Sequence, residues 1–181
     1  MQNVYKEIMR RMINKQAEVL FSTLDLVPGF DIKSTVETLG GEIRVKKELE
    51  ENIEAQICPK EDSEIGFLIE CKNNYDNDDY YIRFSIAHEL GHLFLHMASP
   101  DNEKGYKLIG NYHKGSQNAS IKEWEAEEFA ASFLMPESRF RIEVEAARFN
   151  SEVEDKVAQL AKIFKVPYKS VITRGKSLEI W

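Results

Sequence analysis

The stretch RFSIAHELGHLFLH, residues 83–96, constrains this chain more than any other, because it asks a single helix to be apolar and polar at once. It carries His88, His92 and His96, three of the chain's four histidines, and one glutamate, Glu89. Four residues separate His88 from His92, which on an α-helix is about 40° around the axis and roughly 6 Å along it. Two imidazoles so placed reach one metal ion. Glu89 is turned by about 100° from His88, so it does not easily ligate the same ion but reaches a water beside it. In H-E-x-x-H that glutamate is the general base, taking a proton as water attacks a carbonyl. Gly91 suits the close approach of another backbone, and Ile86, Ala87, Leu90, Leu93 and Phe94 bury the remaining surface. The competing reading is a buried helix whose imidazoles are satisfied by carbonyls and carboxylates. His96 lies roughly 12 Å along the axis from His88, too far to share the ion. It is expected behind the ligands or at the surface. The longer metzincin form needs glycine at 95 and histidine at 98, where this chain has Leu95 and Ala98.

A chain of 181 residues, 43% hydrophobic, suits one compact domain with a core and room for a small appendage. The net charge of -7 argues against a bulk electrostatic grip on DNA or on an anionic membrane. Cys58 and Cys71 are too few for a disulfide framework. They are read as two reduced thiols, with a pairing across a hairpin as the alternative. The N-terminus MQNVYKEIMRRMINKQ is charged throughout and does not resemble a signal peptide. No apolar run approaches the roughly 18 residues of a membrane span. Together these features predict a soluble, cytoplasmic protein.

Val4, Ile8, Met12, Val19 and Leu20 recur at helical spacing and predict a helix over 3–22. Asp31 or Ser34 is expected to cap a short second helix ended by Gly40-Gly41. EIRVKKEL, EAQICP and EIGFLIE are three strand candidates. The histidine helix is expected over about 82–97, followed by a long loop over 98–120. Helical character returns at SIKEWEAEEFAASFLM; Pro136 stops it and opens the next helix. SEVE reads as a capping box, with Ser151 as N-cap and Glu154 at the third helical position. Pro167 starts a last short helix. Helices, three short strands, then helices make an α+β pattern. The expected division is a core over 1–136 and a helical C-terminal segment over 137–181, packed on that core.

A catalytic ion needs a third protein ligand and an open position. EWEAEEFAASFLMP offers Glu123, Glu125, Glu127 and Glu128. Glu123 and Glu127 share a helical face, so Glu123 can ligate the ion while Glu127 accepts the N–H of a ligand histidine. Glu125 is turned away from that face and is expected in solvent. Glu123 is favoured among the four; the alternative is a hydrated acidic face.

RFSIAHELGHLFLH followed by EWEAEEFAASFLMP resembles the ImmA/IrrE metallopeptidases. Their pattern runs R-F-x-x-A-H-E-x-x-H, then E-x-E-A-N-x-F-A-x-x-L-L-M-P. The resemblance implies a zincin-like peptidase domain with ligands His88, His92 and Glu123 and catalytic Glu89. The family's asparagine falls on Glu127, a departure similar to the E-x-x-x-D arrangement of thermolysin-like enzymes. The resemblance further implies one divalent ion, zinc first and manganese second, because two histidines and a glutamate accept either. It implies a helix-turn-helix repressor as substrate, cut to derepress phage, mobile-element or stress genes. The oxyanion donor is sought among Tyr106, Tyr112 and His113, with His113 ranked first. A strand such as EIGFLIE is expected to offer an edge to an extended substrate.

Two other functions compete. KVAQLAKIFKVPYKSVITRG resembles a helix-turn-helix, with Tyr168, Lys169, Ser170, Thr173 and Arg174 on its second helix and Lys165 where the turn often has glycine. The acidic chain argues against nucleic acid as a partner. The second alternative is a metal-dependent regulator that binds a partner without cutting it; Glu89 argues for catalysis, since binding alone needs no base.

Overall fold

The computed structural model describes residues 2–46, 49, 54–60, 66–72, 78–101, 105–108, 119–147 and 153–181. Among these, the order is α1 (Gln2–Thr23), α2 (Ile32–Thr38), β1 (Gly41–Val45), β2 (Ala55–Pro59), β3 (Phe67–Cys71), α3 (Tyr80–His92), a π-helical turn (Leu93–Met97), β4 (Ala98–Asp101), β5 (Gly105–Leu108), α4 (Ala119–Leu134), α5 (Glu137–Ala147), α6 (Val153–Phe164) and α7 (Tyr168–Ser177). The fold is α+β: mostly helical, with a small three-stranded mixed sheet.

The chain divides into two compact units, one of 31–127 and one of 1–30 with 128–181. That division differs from the expected boundary at 136/137: the N-terminal helix groups with the C-terminal helices, and α4 contributes its first half to one unit and its second half to the other.

In the 31–127 unit, Asp31 caps α2 by accepting the Lys33 and Ser34 amides, and Gly40, at φ +85°, follows its C-cap. The sheet order is β1-β3-β2, with β1 parallel and β2 antiparallel to β3. β3 is therefore central, and the edge expected of EIGFLIE is covered on both sides. Pro59, which has no N–H to donate, sits at the end of edge strand β2. Phe67, Ile69 and Cys71 on β3 and Ala55 and Ile57 on β2 are buried, alternating along each strand. α3 lies against β2 and β3. Cys58 and Cys71 are not opposite each other, because Cys58 pairs with Leu68 and Cys71 with Ala55. Both are free thiols. Part of the expected long loop is a hairpin, β4 with β5.

The second unit is helical. Ile13, Ala17 and Phe21 form the buried stripe of α1, whereas Val4, Ile8, Met12 and Val19 are exposed. Phe30 packs edge-on against Phe21 and Phe133, with centroids 6.0 and 5.3 Å away. Lys165, at φ +50°, makes the turn between α6 and α7. Ser151, the expected N-cap of α6, lies outside the described residues. Among the described residues no helix is long and apolar enough to cross a membrane.

Candidate metal centre

Asp79 starts α3 by accepting the amides of Tyr81 and Ile82 at 3.0 and 3.1 Å. Ile82, Arg83, Ile86, Ala87, Glu89, Leu90, Gly91 and His92 are all buried, so the helix is covered on most of its circumference. His88 and His92 point their Nε2 atoms at one place, 3.1 Å apart. Glu123 arrives from α4, its Oε2 3.2 Å from His88 Nε2 and its Oε1 3.5 Å from His92 Nε2. One ligand atom from each residue lies within 4.8 Å of the other two.

α4 reaches this place because α3 has no side chain at Gly91. A Cβ there would stand 2.9 Å from both Cα and O of Ala126. The two backbones touch where any other residue would hold them apart.

A hydrogen-bonded chain runs behind His92. Its Nδ1 lies 3.0 Å from Nδ1 of His96, and His96 Nε2 lies 3.0 Å from Glu125 Oε2. Glu125 is thus buried, in contrast to the solvent position expected for it. Glu127, expected to accept the N–H of a ligand histidine, is exposed, and the second ring nitrogen of His92 faces His96. The physical reason is the Gly91–Ala126 contact. Ala126 faces α3, and Glu127 lies about 100° off that line. Burial lowers the pKa of His96, and the hydrogen bond to Glu125 opposes that shift.

The donor set fits a divalent ion. Two imidazole nitrogens and a carboxylate suit zinc or manganese and leave a coordination position open. Glu89, also buried, lines a cavity of about 270 Å³ with His88, Glu127, Glu54, Ala55, Phe84 and Ser85. The cavity thus joins Glu89 and His88 to the start of edge strand β2. Phe84 falls in the R-F-x-x-A-H-E pattern, whereas Glu54 carried no signal in the sequence, since no spacing rule links β2 to α3. His113 and Tyr112 lie outside the described residues, and Tyr106 is on β5.

The sequence profile of the IrrE N-terminal-like domain, a peptidase family, matches residues 73–175. The chain belongs to that family. Both halves of the candidate metal centre, helices α5 and α6 and most of α7 lie inside the match. No curated protein matches. Among solved structures, a Mycobacterium tuberculosis transcriptional regulator has a TM-score of 0.57 at 17% identity, over 89% of this chain and 45% of its own length. At that identity the likeness concerns the fold, and this chain spans less than half of that protein.

The C-terminal helices contain a second buried polar group. Arg174, which the helix-turn-helix alternative places on its second helix, is 1% exposed. Its Nε donates to the Met135 carbonyl at 3.0 Å, and its Nη1 donates to Asn14 Oδ1 at 2.7 Å and Ser132 Oγ at 3.1 Å. Burial pushes its pKa down to about 10 against the attraction of Glu128. An arginine so engaged is not presented to a phosphate or a base edge.

Proposed function

We propose that this chain is a metal-dependent endopeptidase that cuts a helix-turn-helix transcriptional repressor in the cytoplasm, derepressing phage, mobile-element or stress genes. The observation that carries the reading is the convergence of His88, His92 and Glu123 beside a cavity walled by Glu89. The regulatory setting is supported by the likeness in fold to a transcriptional regulator.

His88, His92 and Glu123 would hold the ion, zinc first and manganese second. When bound, it polarises the scissile carbonyl and makes the attacking water more acidic. Glu89 takes the proton from that water and returns it to the leaving amine. Its burial strengthens its interaction with charge developing in the cavity. β2 aligns an extended substrate backbone along its outer edge. Ala55, Phe84 and Ser85 bound the space for a substrate side chain, with Glu54 and Glu127 giving it acidic walls. In this reading His113 donates to the oxyanion.

The test is cleavage of the repressor encoded beside this gene by the purified protein supplied with zinc or manganese. Wild type is expected to release a fragment, and Glu89→Gln to slow its appearance by about 100- to 10,000-fold. Equal cutting by both would remove Glu89 as the base. Absence of cutting with the repressor still bound would make the protein a binding regulator.

A further inference from the structure

We propose that His96 and Glu125 are positioning residues that fix the single proton of His92 on Nδ1, so that its Nε2 lone pair faces the ion. The inference rests on the metal reading above and on the polarity of two hydrogen bonds. A carboxylate only accepts, so in the 3.0 Å contact between Glu125 Oε2 and His96 Nε2 the imidazole donates. A neutral imidazole has one N–H, which leaves Nδ1 of His96 as an acceptor. The atom 3.0 Å from it is Nδ1 of His92. Two nitrogens at that distance share one proton, and with His96 neutral and already donating to Glu125 that proton comes from His92. The Nε2 of His92 is then bare, and it is this atom that lies 3.1 Å from His88 Nε2 and 3.5 Å from Glu123 Oε1.

Burial and backbone support the assignment. The side chains of His92, His96 and Glu125 are 0%, 6% and 8% exposed, so water does not compete strongly for these bonds. The π-helical turn begins directly after His92 and ends at Met97, setting the His96 ring against the His92 ring with centroids 5.2 Å apart. Such wide turns are rare and recur at functional sites. A pair that served packing alone would need no acceptor aimed at a ligand's second nitrogen. Histidine ligands generally depend on such a partner for their tautomer and ring orientation.

The experiment has two readouts independent of proteolysis. Long-range ¹H–¹⁵N spectra of the metal-free wild type report which nitrogen of His92 carries the proton, and competition with a chromogenic chelator gives the zinc dissociation constant. The expected tautomer is Nδ1–H. His96→Leu and Glu125→Gln are expected to weaken zinc binding by about 10- to 100-fold. In Glu125→Gln the side-chain amide can also donate, which permits the opposite tautomer of His96 and with it a proton on His92 Nε2. His96→Gln, whose carbonyl still accepts from Nδ1–H, should restore most of the affinity lost in His96→Leu. A wild-type His92 protonated on Nε2 would overturn the inference. So would zinc affinities of His96→Leu and Glu125→Gln equal to wild type, or a His96→Gln no better than His96→Leu. If the wild type binds no zinc, the metal reading fails, while the tautomer still decides the assignment of the pair.

Discussion

Gly91 carries no side chain where one would meet the backbone of Ala126 at 2.9 Å. Neither Cα nor a carbonyl can swing aside as a flexible side chain does. Gly91→Ala is therefore expected to part α3 from α4, at a cost of about 1–3 kcal/mol, and to weaken metal binding as Glu123 draws away from the histidines. Thermal unfolding of the metal-free protein and a zinc titration check both parts, and unchanged values in the two would refute the contact's importance. Cys71 makes a different residue-scale case. Burial, helped by the charge of Glu89, pushes its thiol up to about 12 from an ordinary value near 9. Below pH 9 the thiol is neutral folded and unfolded, and its contribution is fully present. Above it the unfolded thiol ionises first, so stability falls by about 1.4 kcal/mol per pH unit up to the folded value. Denaturant unfolding across that window should show this loss in wild type and not in Cys71→Ala. Mildly alkaline iodoacetamide should label the half-buried Cys58 and spare Cys71.

Helix α4 shows how an element's orientation decides which of its residues matter. The sequence made a face of Glu123 and Glu127 legible, because four residues bring side chains round to one side. The line that meets α3 passes through Ala126 instead. Glu123 lies about 60° to one side of that line and Glu125 about 100° to the other, so both reach histidines from opposite flanks. That a helix exists here is a local property; which stripe of it faces a neighbour depends on that neighbour. The same holds for α1, whose period was visible in Val4, Ile8, Met12 and Val19 while its buried stripe is Ile13, Ala17 and Phe21. The turn between α6 and α7 offers an element-scale prediction. Lys165 holds a left-handed conformation at φ +50°. Lys165→Gly is expected to stabilise by under about 1 kcal/mol, because the strain removed slightly exceeds the added freedom of the unfolded chain. A fall in melting temperature would show that the lysine side chain contributes more than its backbone costs.

At the scale of the molecule, α1 and the C-terminal helices share one unit, and Arg174 joins them through Asn14 on α1, Ser132 on α4 and the carbonyl of Met135. Arg174→Met is expected to cost about 3–5 kcal/mol, since it strips a charge partner and several hydrogen bonds from buried groups. Urea unfolding measures this, and a loss under about 1 kcal/mol would mean the network is dispensable. By itself the sequence determined the helix carrying His88, Glu89 and His92, the acidic helix that follows, the α+β class and the family, because each rests on short-range spacing or on a run of residue types. It also left three strands readable, since alternation is local. Only the tertiary structure decided that β3 is central, that β2 brings Ala55 to the cavity, and that Glu125 lies buried against His96. Those outcomes depend on which backbones touch, and a contact such as Gly91 against Ala126 joins residues with no sequence rule between them.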